Sequence, residues 1–304
     1  MRQWNPGTTL QRGGALSASV LPGLLLLLSL AGCTDRSNQD TKEESPETTS
    51  RELPVEELAG EVDSANRYAS TVLVVAQQPV AGKSFKGCSG VLLSPRWVLT
   101  AGHCVCPQRP ARVPDEGNAR IVDGTTCSAS ATVKALSYLP MTPGEPSEVR
   151  ATSHQGKVHA HPKLKLQLDA GGGIVSSHAD LALVFLEIAV KDAPPSPALA
   201  KTEVIPGESI TVVGHGHDER RGSMGGDRRF NRTRVLRREP SGAERAVFEQ
   251  PGRNLYRGES GGPCLRETPQ GQELAGISSR SLEPSCIGTY AFQGWILERM
   301  QSTP

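Results

Sequence analysis

The sequence lacks an excess of charge of either sign, because it has 33 basic and 32 acidic side chains. Nucleic-acid-binding proteins carry a concentrated positive surplus, so we expect no nucleic-acid partner. The sequence also lacks an uninterrupted apolar run of about 20 residues, the length that a membrane-spanning helix needs. It has no CxxC pair, and His159 with His161 or His215 with His217 would supply only two metal ligands each. We therefore expect neither a metal nor a cofactor.

The N-terminus has the layout of a secretory signal. Basic residues Arg2 and Arg12 precede the short apolar stretch "VLPGLLLLLSLAGC", which ends in small residues. The segment "LAGC", Leu30 to Cys33, resembles a bacterial lipobox, in which the cysteine is lipidated and becomes the mature N-terminus. Residues 1–32 are then a lipoprotein signal peptide; the alternative is a plain signal peptide with a chance cysteine.

The segment after Cys33 predicts a tether. Residues 33–61 are polar, rich in Ser, Thr and Glu, and too poor in large apolar residues to form a core. Thr34 follows the cysteine, which by resemblance to enterobacterial sorting favours the outer membrane. We expect a bacterial cell-envelope protein, lipid-anchored or secreted, whose folded domain covers residues 62–304.

Six cysteines remain when Cys33 is set aside. An even number in a chain routed to an oxidising compartment indicates disulfides, although six cysteines allow 15 connectivities.

The apolar segments predict an all-β domain. Most have strand length and are bounded by Gly, Pro, Ser or Asp. These segments are "STVLVVA", "CSGVLLS", "RWVLTA", "DLALVFL", "SITVVG", "ELAGISS" and "GTYAF". Only "FQGWILERM", 292–300, has apolar residues at helical spacing. The pattern favours a β-barrel or β-sandwich with a C-terminal helix, and the arginine-rich segment 216–239 is interpreted as a solvated loop.

A glycine-rich stretch surrounds one serine in "RGESGGPCL", Arg257 to Leu265. Gly258, Gly261 and Gly262 flank Ser260, and glycine permits close approaches that a β-carbon blocks. The stretch is either a bare tight turn or a nucleophile with backbone N–H groups aimed at a substrate. As a nucleophile, Ser260 needs an adjacent base to take its proton.

The order of residues along the chain restricts the choice of that base. All seven histidines precede Ser260, which excludes the Ser–acid–His order of α/β-hydrolases. The Asp–His–Ser order of subtilisin would need an aspartate from the tether or its border. The order His–Asp–Ser remains, and it selects His103 in "VLTAGHC" and Asp180 in "HADLALVFL".

Five motifs carry a resemblance to a known family. The motifs "CSGVLLSPRWVLTAGHC", "DLALVFL", "VVGHG", "GESGGP" and "GTYAFQGWI" occur in the order seen in trypsin-like (chymotrypsin-fold) serine proteases. The resemblance implies two six-stranded antiparallel β-barrels with the active site between them and a divide near residues 194–197.

The resemblance also implies residue roles. Ser260 attacks the scissile carbonyl, His103 transfers the proton, and Asp180 fixes the imidazole tautomer. The N–H groups of Gly258 and Ser260 form the oxyanion hole.

The disulfides that the resemblance implies begin with Cys88–Cys104, beside His103. Cys286 matches a pocket-loop cysteine whose usual partner is replaced by Tyr256, so Cys264 is the expected substitute. Cys106 and Cys127 remain and lie in an insertion between His103 and Asp180.

By the same resemblance, the substrate pocket contains Asn254 at its base together with Ser279, Ser281 and Gly288. None of these carries a charge, which predicts weak activity after lysine or arginine. Glu259 occupies the position where the family has an aspartate that pairs with a cleaved N-terminus. We expect Glu259 to pair with an internal donor instead, such as an arginine.

The sequence therefore predicts a monomeric serine endopeptidase that acts on a protein or peptide substrate and contacts a membrane through its lipid anchor. Two alternatives remain at this point: an esterase on the same fold, and a catalytically weak binding protein on a protease scaffold.

Overall fold

Strands form most of the chain in the computed structural model, which describes residues 60–76, 87–111, 120–139, 148–171, 173–218, 223–224, 226–239, 245–249, 259–279 and 283–302. All of them belong to one compact unit, Glu52–Pro304. The predicted signal peptide and nearly all of the predicted tether lie outside the described residues.

The described residues of the first half of this unit contain eleven strands. In chain order they are β1 (Glu61–Val62), β2 (Thr71–Ala76), β3 (Cys88–Ser94), β4 (Trp97–Thr100), β5 (Arg109–Pro110), β6 (Arg120–Asp123), β7 (Ser130–Tyr138), β8 (Val149–Ala160), β9 (Lys165–Leu168), β10 (Ile174–His178) and β11 (Ala182–Leu186). Six of them close into an antiparallel barrel in the order β11-β4-β3-β2-β7-β8. The apolar runs of β2, β3, β4 and β11 are almost wholly buried on both faces, because alternate side chains fill this small barrel and those between them are covered from outside it.

The part of the second half that the structure describes contains nine strands and the C-terminal helix. In chain order they are β12 (Ala198–Leu199), β13 (Ser209–Gly214), β14 (His217–Asp218), β15 (Ser223–Met224), β16 (Arg229–Arg238), β17 (Arg245–Phe248), β18 (Pro263–Thr268), β19 (Gly271–Ser278), β20 (Ser285–Gly288) and α1 (Gln293–Gln301). A second six-stranded antiparallel barrel follows the order β16-β13-β18-β19-β20-β17 and closes through the pairing of β16 with β17. The predicted fold of two six-stranded barrels with a C-terminal helix is confirmed. The predicted divide at 194–197 lies between the end of β11 and the start of β12.

The insertion between His103 and Asp180 builds an additional sheet. Its four strands pair in the order β10-β9-β6-β5. Leu164, Leu166 and Leu168 bury their side chains against the core of the first barrel. The insertion therefore supports the barrel from outside, on the side that carries His103.

The interpretation of residues 216–239 as a solvated loop is wrong for its second half. Residues Arg229–Arg238 form β16, a strand of the second barrel. Phe230, Thr233 and Val235 are buried, whereas Arg232 and Arg234 are exposed. Arginines on one face of a strand hide the apolar alternation when the segment is judged by charge alone.

A buried ion pair joins the start of the domain to both barrels. Arg228 is fully buried, and its Nε donates to Asp63 Oδ2 at 2.8 Å. Its remaining nitrogens donate to Leu136 O at 2.8 Å and Asn66 Oδ1 at 3.0 Å. A buried guanidinium needs this full set of acceptors to offset its lost hydration.

The prediction of a strand for "GTYAF" is wrong, because β20 ends at Gly288 and Tyr290–Phe292 form a 3-10 turn. The turn leads into α1, which confirms the predicted helix. His161, just after β8, makes edge contacts with Phe292 and Trp295 at centroid distances of 5.1 and 4.7 Å. These contacts hold the helix region against the first barrel. Within the described residues, no helix has the length and apolar character to cross a membrane.

Candidate active site

His103 lies on the 3-10 turn Gly102–Cys104, which directly follows β4. The turn begins where the buried run of β4 ends, and the Cys88–Cys104 disulfide ties it back to β3. A β-carbon at Gly102 would lie 2.7 Å from a methyl of Leu164, so the inserted sheet packs directly behind the turn. One fifth of the His103 side chain remains exposed.

Asp180 is fully buried at the entrance to β11. Ala179 before it has φ of 49°, a left-handed conformation that alanine adopts only when tertiary contacts hold it. Asp180 Oδ1 accepts the His103 backbone N–H at 2.9 Å, and Oδ2 lies 2.7 Å from His103 Nδ1. The structure thus brings together two residues that are 77 positions apart in sequence.

The electrostatics of this pair keep the carboxylate ionised. Burial alone would raise the pKa of Asp180, but His103 and the hydrogen bonds from His103 and Ser279 outweigh it and lower the pKa to about 2. Burial alone would lower the pKa of His103, but the charge and hydrogen bond of Asp180 outweigh burial and raise that pKa above its usual value. An imidazole held in this way can accept a proton at its free nitrogen, Nε2.

Ser260 lies beside the turn that carries His103, because its carbonyl oxygen is 3.6 Å from Cys104 Sγ. Its carbonyl accepts the Ser89 backbone N–H at 2.8 Å, and Ser89 belongs to β3 of the first barrel. On the side of the second barrel, the next residue, Gly261, donates its N–H to Ser278 O at 2.7 Å. The backbone at Ser260 is therefore held between the two barrels.

Gly261 explains part of the glycine cluster. Its φ is +87°, and a β-carbon there would lie 2.1 Å from Ser89 O and 2.3 Å from Thr100 Oγ1. Both the backbone conformation and the close approach of β3 therefore require glycine. Gly258, the other predicted oxyanion-hole residue, lies outside the described residues.

Ser279 is buried and its hydroxyl donates to Asp180 Oδ2 at 2.6 Å. The sequence predicted Ser279 to border the pocket near Asp180 and His103; the contact with Asp180 gives it a structural role that the motifs did not indicate. Gly288 pairs with Gly276 across β20 and β19, and the Ser279 backbone N–H donates to Ser285 O at 2.9 Å. Asn254 and Ser281 lie outside the described residues, so the pocket stays a prediction.

The side chain of Glu259 is buried against Gly214, and its Oε2 has no hydrogen-bond partner among the described residues. Burial raises the pKa of this carboxyl well above its usual value, and the charge of Arg229 offsets part of the effect. Arg229 itself donates to Gly60 O at 3.0 Å. We expected an internal donor to form a hydrogen bond with Glu259, but the described residues supply none to Oε2.

The structure forms all three disulfides that the family resemblance implies. They are Cys88–Cys104, Cys106–Cys127 and Cys264–Cys286. The second links the segment just after the His103 turn to the segment just before β7. The third joins β18 to β20, and its Cys264 lies four residues after Ser260.

Among the described residues, one group of His, Cys, Asp or Glu side chains has ligand atoms within 4.8 Å of each other, namely Cys88, His103 and Cys104. Two of its three members are joined in a disulfide. Metal-binding cysteines are thiolates, so this group does not have the chemistry of a metal site.

Comparison with known families agrees with this geometry. The family model described as Trypsin-like peptidase domain matches residues 88–277. The chain belongs to the trypsin-like peptidase domain family. The match begins at Cys88 and includes His103, Asp180 and Ser260. No curated protein matches the chain.

Proposed function

We propose that this trypsin-like peptidase is a serine endopeptidase that cleaves peptide bonds through Ser260, His103 and Asp180. The observation that carries the proposal is the contact between His103 Nδ1 and the buried Asp180 carboxylate at 2.7 Å. A fully buried carboxylate is costly unless it is paired, and this one is placed to accept an imidazole N–H.

The chemistry follows from the orientation of the imidazole. Because Nδ1 carries its proton toward Asp180, Nε2 has a free lone pair and accepts the Ser260 hydroxyl proton as Oγ attacks the substrate carbonyl. The tetrahedral intermediate then expels the amine, which receives that proton from His103. The resulting acyl-enzyme is cleaved by a water molecule through the same proton transfers, which regenerates free Ser260.

Labelling with a fluorophosphonate probe tests the nucleophile, and a peptide-library cleavage profile tests the reaction. We expect stoichiometric labelling of Ser260 and peptide cleavage, and neither in the Ser260→Ala variant. Labelling with ester hydrolysis but no peptide cleavage would favour the esterase. Loss of both in the wild-type protein would favour a binding protein on a protease scaffold.

We further propose that Cys33 carries a lipid and that the segment from Thr34 to about Gly60 tethers the domain to a membrane of the bacterial cell envelope. The support is the layout of the first 33 residues together with the polar segment that follows. The start of the folded domain is consistent with such a tether, because Gly60 precedes β1.

Cys33→Ser is expected to release the protein from the membrane or leave it unprocessed, since the acceptor thiol is gone. Partitioning into a detergent phase measures this, with Cys106→Ser and Cys127→Ser together as a control that removes other cysteines. Equal partitioning of the wild-type and Cys33→Ser proteins would contradict the anchor.

The predicted pocket also leads to an expectation for specificity. Asn254 at the floor has an amide dipole without net charge, so we expect a medium-sized uncharged residue before the cleaved bond. The measurement compares kcat/KM for identical peptides ending in arginine, leucine and glutamine. An arginine preference of roughly a hundred-fold, about 2.7 kcal/mol, would require a negative charge in the pocket and would overturn the assignment.

A further inference from the structure

A buried arginine lies behind the contact between Asp180 and His103. Arg245 begins β17, is 3% exposed, and pairs across the sheet with Ile287 of β20. Buried arginines are rare unless they serve a specific contact, and nothing in the proposed chemistry has so far used this one.

Hydrogen bonds connect Arg245 to Asp180 through two serines. Arg245 Nη1 donates to Ser285 Oγ at 2.8 Å and approaches Ser279 O at 3.4 Å. The Ser285 hydroxyl donates in turn to Ser279 O at 2.7 Å. Ser279 Oγ then donates to Asp180 Oδ2 at 2.6 Å. The guanidinium therefore fixes the backbone of the residue that holds the carboxylate.

The charge of Arg245 is only partly balanced. Its Nε lies 3.6 Å from Glu239 Oε2, and about a third of the Glu239 side chain is exposed to solvent. Its Nη2 has no hydrogen-bond partner among the described residues. Burial lowers the pKa of Arg245, while Glu239 and Asp180 raise it. Arginine nevertheless stays protonated in proteins, so a positive charge lies close to the site.

We propose that Arg245 is a positioning residue of the endopeptidase, which holds Ser279 against Asp180 and whose charge disfavours protonation of His103. This inference rests on the proposed function. It makes the enzyme active at lower pH than the pair of Asp180 and His103 alone would allow, because a neutral His103 is the form that accepts the serine proton.

The charges that act on His103 agree with this role. Burial and Arg245 lower the pKa of His103, whereas Asp180 raises it, and the net direction is upward. Without the Arg245 charge, the effect of Asp180 on the pKa of His103 is offset less, so His103 would remain protonated to higher pH. Removing Glu239 leaves the Arg245 charge less balanced, so His103 would lose its proton at lower pH.

The test uses two substitutions that should change the pH dependence of kcat/KM in opposite directions. For Arg245→Met, the ratio of kcat/KM at pH 5.5 to that at pH 8.5 should fall by about three-fold or more, the change that corresponds to half a unit in an acid limb. For Glu239→Gln, the same ratio should rise. Arg245→Lys keeps the charge and should retain most of the wild-type ratio while lowering kcat, because lysine lacks the forked donors.

Arg237→Met is the matched control, because Arg237 lies on the neighbouring strand β16 and pairs with Glu283 at the surface. It removes the same charge and should leave the ratio unchanged. A general loss of structure would lower kcat/KM at every pH. It would not make the ratio of kcat/KM at pH 5.5 to that at pH 8.5 fall in Arg245→Met and rise in Glu239→Gln. If Arg245→Met does not fold, the variant Glu239→Gln, at a partly exposed position, still tests the proposal, because it should raise the ratio.

A second readout does not depend on catalysis. NMR titration of His103 in the full-length Ser260→Ala protein measures its protonation directly, with and without Arg245→Met. We expect the His103 midpoint to move to higher pH in the double variant. Unchanged midpoints and unchanged pH ratios in both variants would overturn the role of Arg245. If wild-type protein neither labels with fluorophosphonate nor cleaves peptides, the proposed function fails, whereas the NMR titration still tests the charge effect.

Discussion

Replacing Ser260 or His103 with alanine is expected to reduce peptide hydrolysis by about a million-fold. In the proposed mechanism, Ser260→Ala removes the attacking oxygen, and His103→Ala removes the base that takes its proton. The double variant should lose no more than either single variant, because the two side chains act in the same step. The measurement is kcat/KM on one peptide for all three proteins.

Ser89→Ala is a suitable comparison for these variants. Ser89 contacts Ser260 through its backbone N–H, which the substitution keeps; its hydroxyl accepts the His215 N–H at 2.8 Å. The loss there should be small by comparison. Turnover within a hundred-fold of wild type in Ser260→Ala or His103→Ala would remove the residue from the catalytic role.

Asp180→Asn is expected to lower kcat by about ten-thousand-fold. Both carboxylate oxygens of Asp180 accept hydrogen bonds, from the His103 backbone N–H, from His103 Nδ1 and from the Ser279 hydroxyl. An amide group has only one accepting oxygen, so its NH₂ would face a donor in either orientation. The imidazole would then take the wrong tautomer or turn away, and Nε2 would no longer be the base.

Asp123→Asn provides the control, because Asp123 is also an ion-paired carboxylate, with Arg109 in the inserted sheet. Its replacement should leave kcat near the wild-type value. A loss of less than ten-fold in Asp180→Asn would show that the buried carboxylate does not orient His103. Circular dichroism and thermal unfolding of both variants separate loss of chemistry from loss of fold.

The candidate residues His103 and Ser260 could be proposed from the sequence because the motifs that carry them are local. In "VLTAGHC" the histidine stands between a glycine and a cysteine, and in "GESGGP" the serine precedes two glycines. These neighbours are visible in the sequence without knowledge of the rest of the fold. The cysteine pairs followed from the resemblance for a similar reason, since they lie beside the same motifs. The family match over residues 88–277 supports the coarse assignment.

The strands were predictable where Val, Leu and Ile are grouped closely between turn-forming residues. The predictions for β3 and β13 match the observed bounds, because the groups "VLL" in "CSGVLLS" and "ITVV" in "SITVVG" are each bounded by Ser and Gly. By contrast, β8 is mostly exposed and polar, and β16 alternates arginines with buried residues. Such strands owe their conformation to pairing with neighbours, which a local pattern does not contain.

The sequence by itself determined the order His, Asp, Ser, the turn-forming glycine at 261 and the cysteines available for pairing, because covalent neighbours dictate these features. Only the tertiary structure decided which partners the buried charged groups have. Asp63 finds Arg228 at a separation of 165 residues, and Ser279 reaches Asp180 at a separation of 99. A charged side chain is stable in a core only when a partner arrives there, and the position of that partner depends on how the whole chain closes its two barrels.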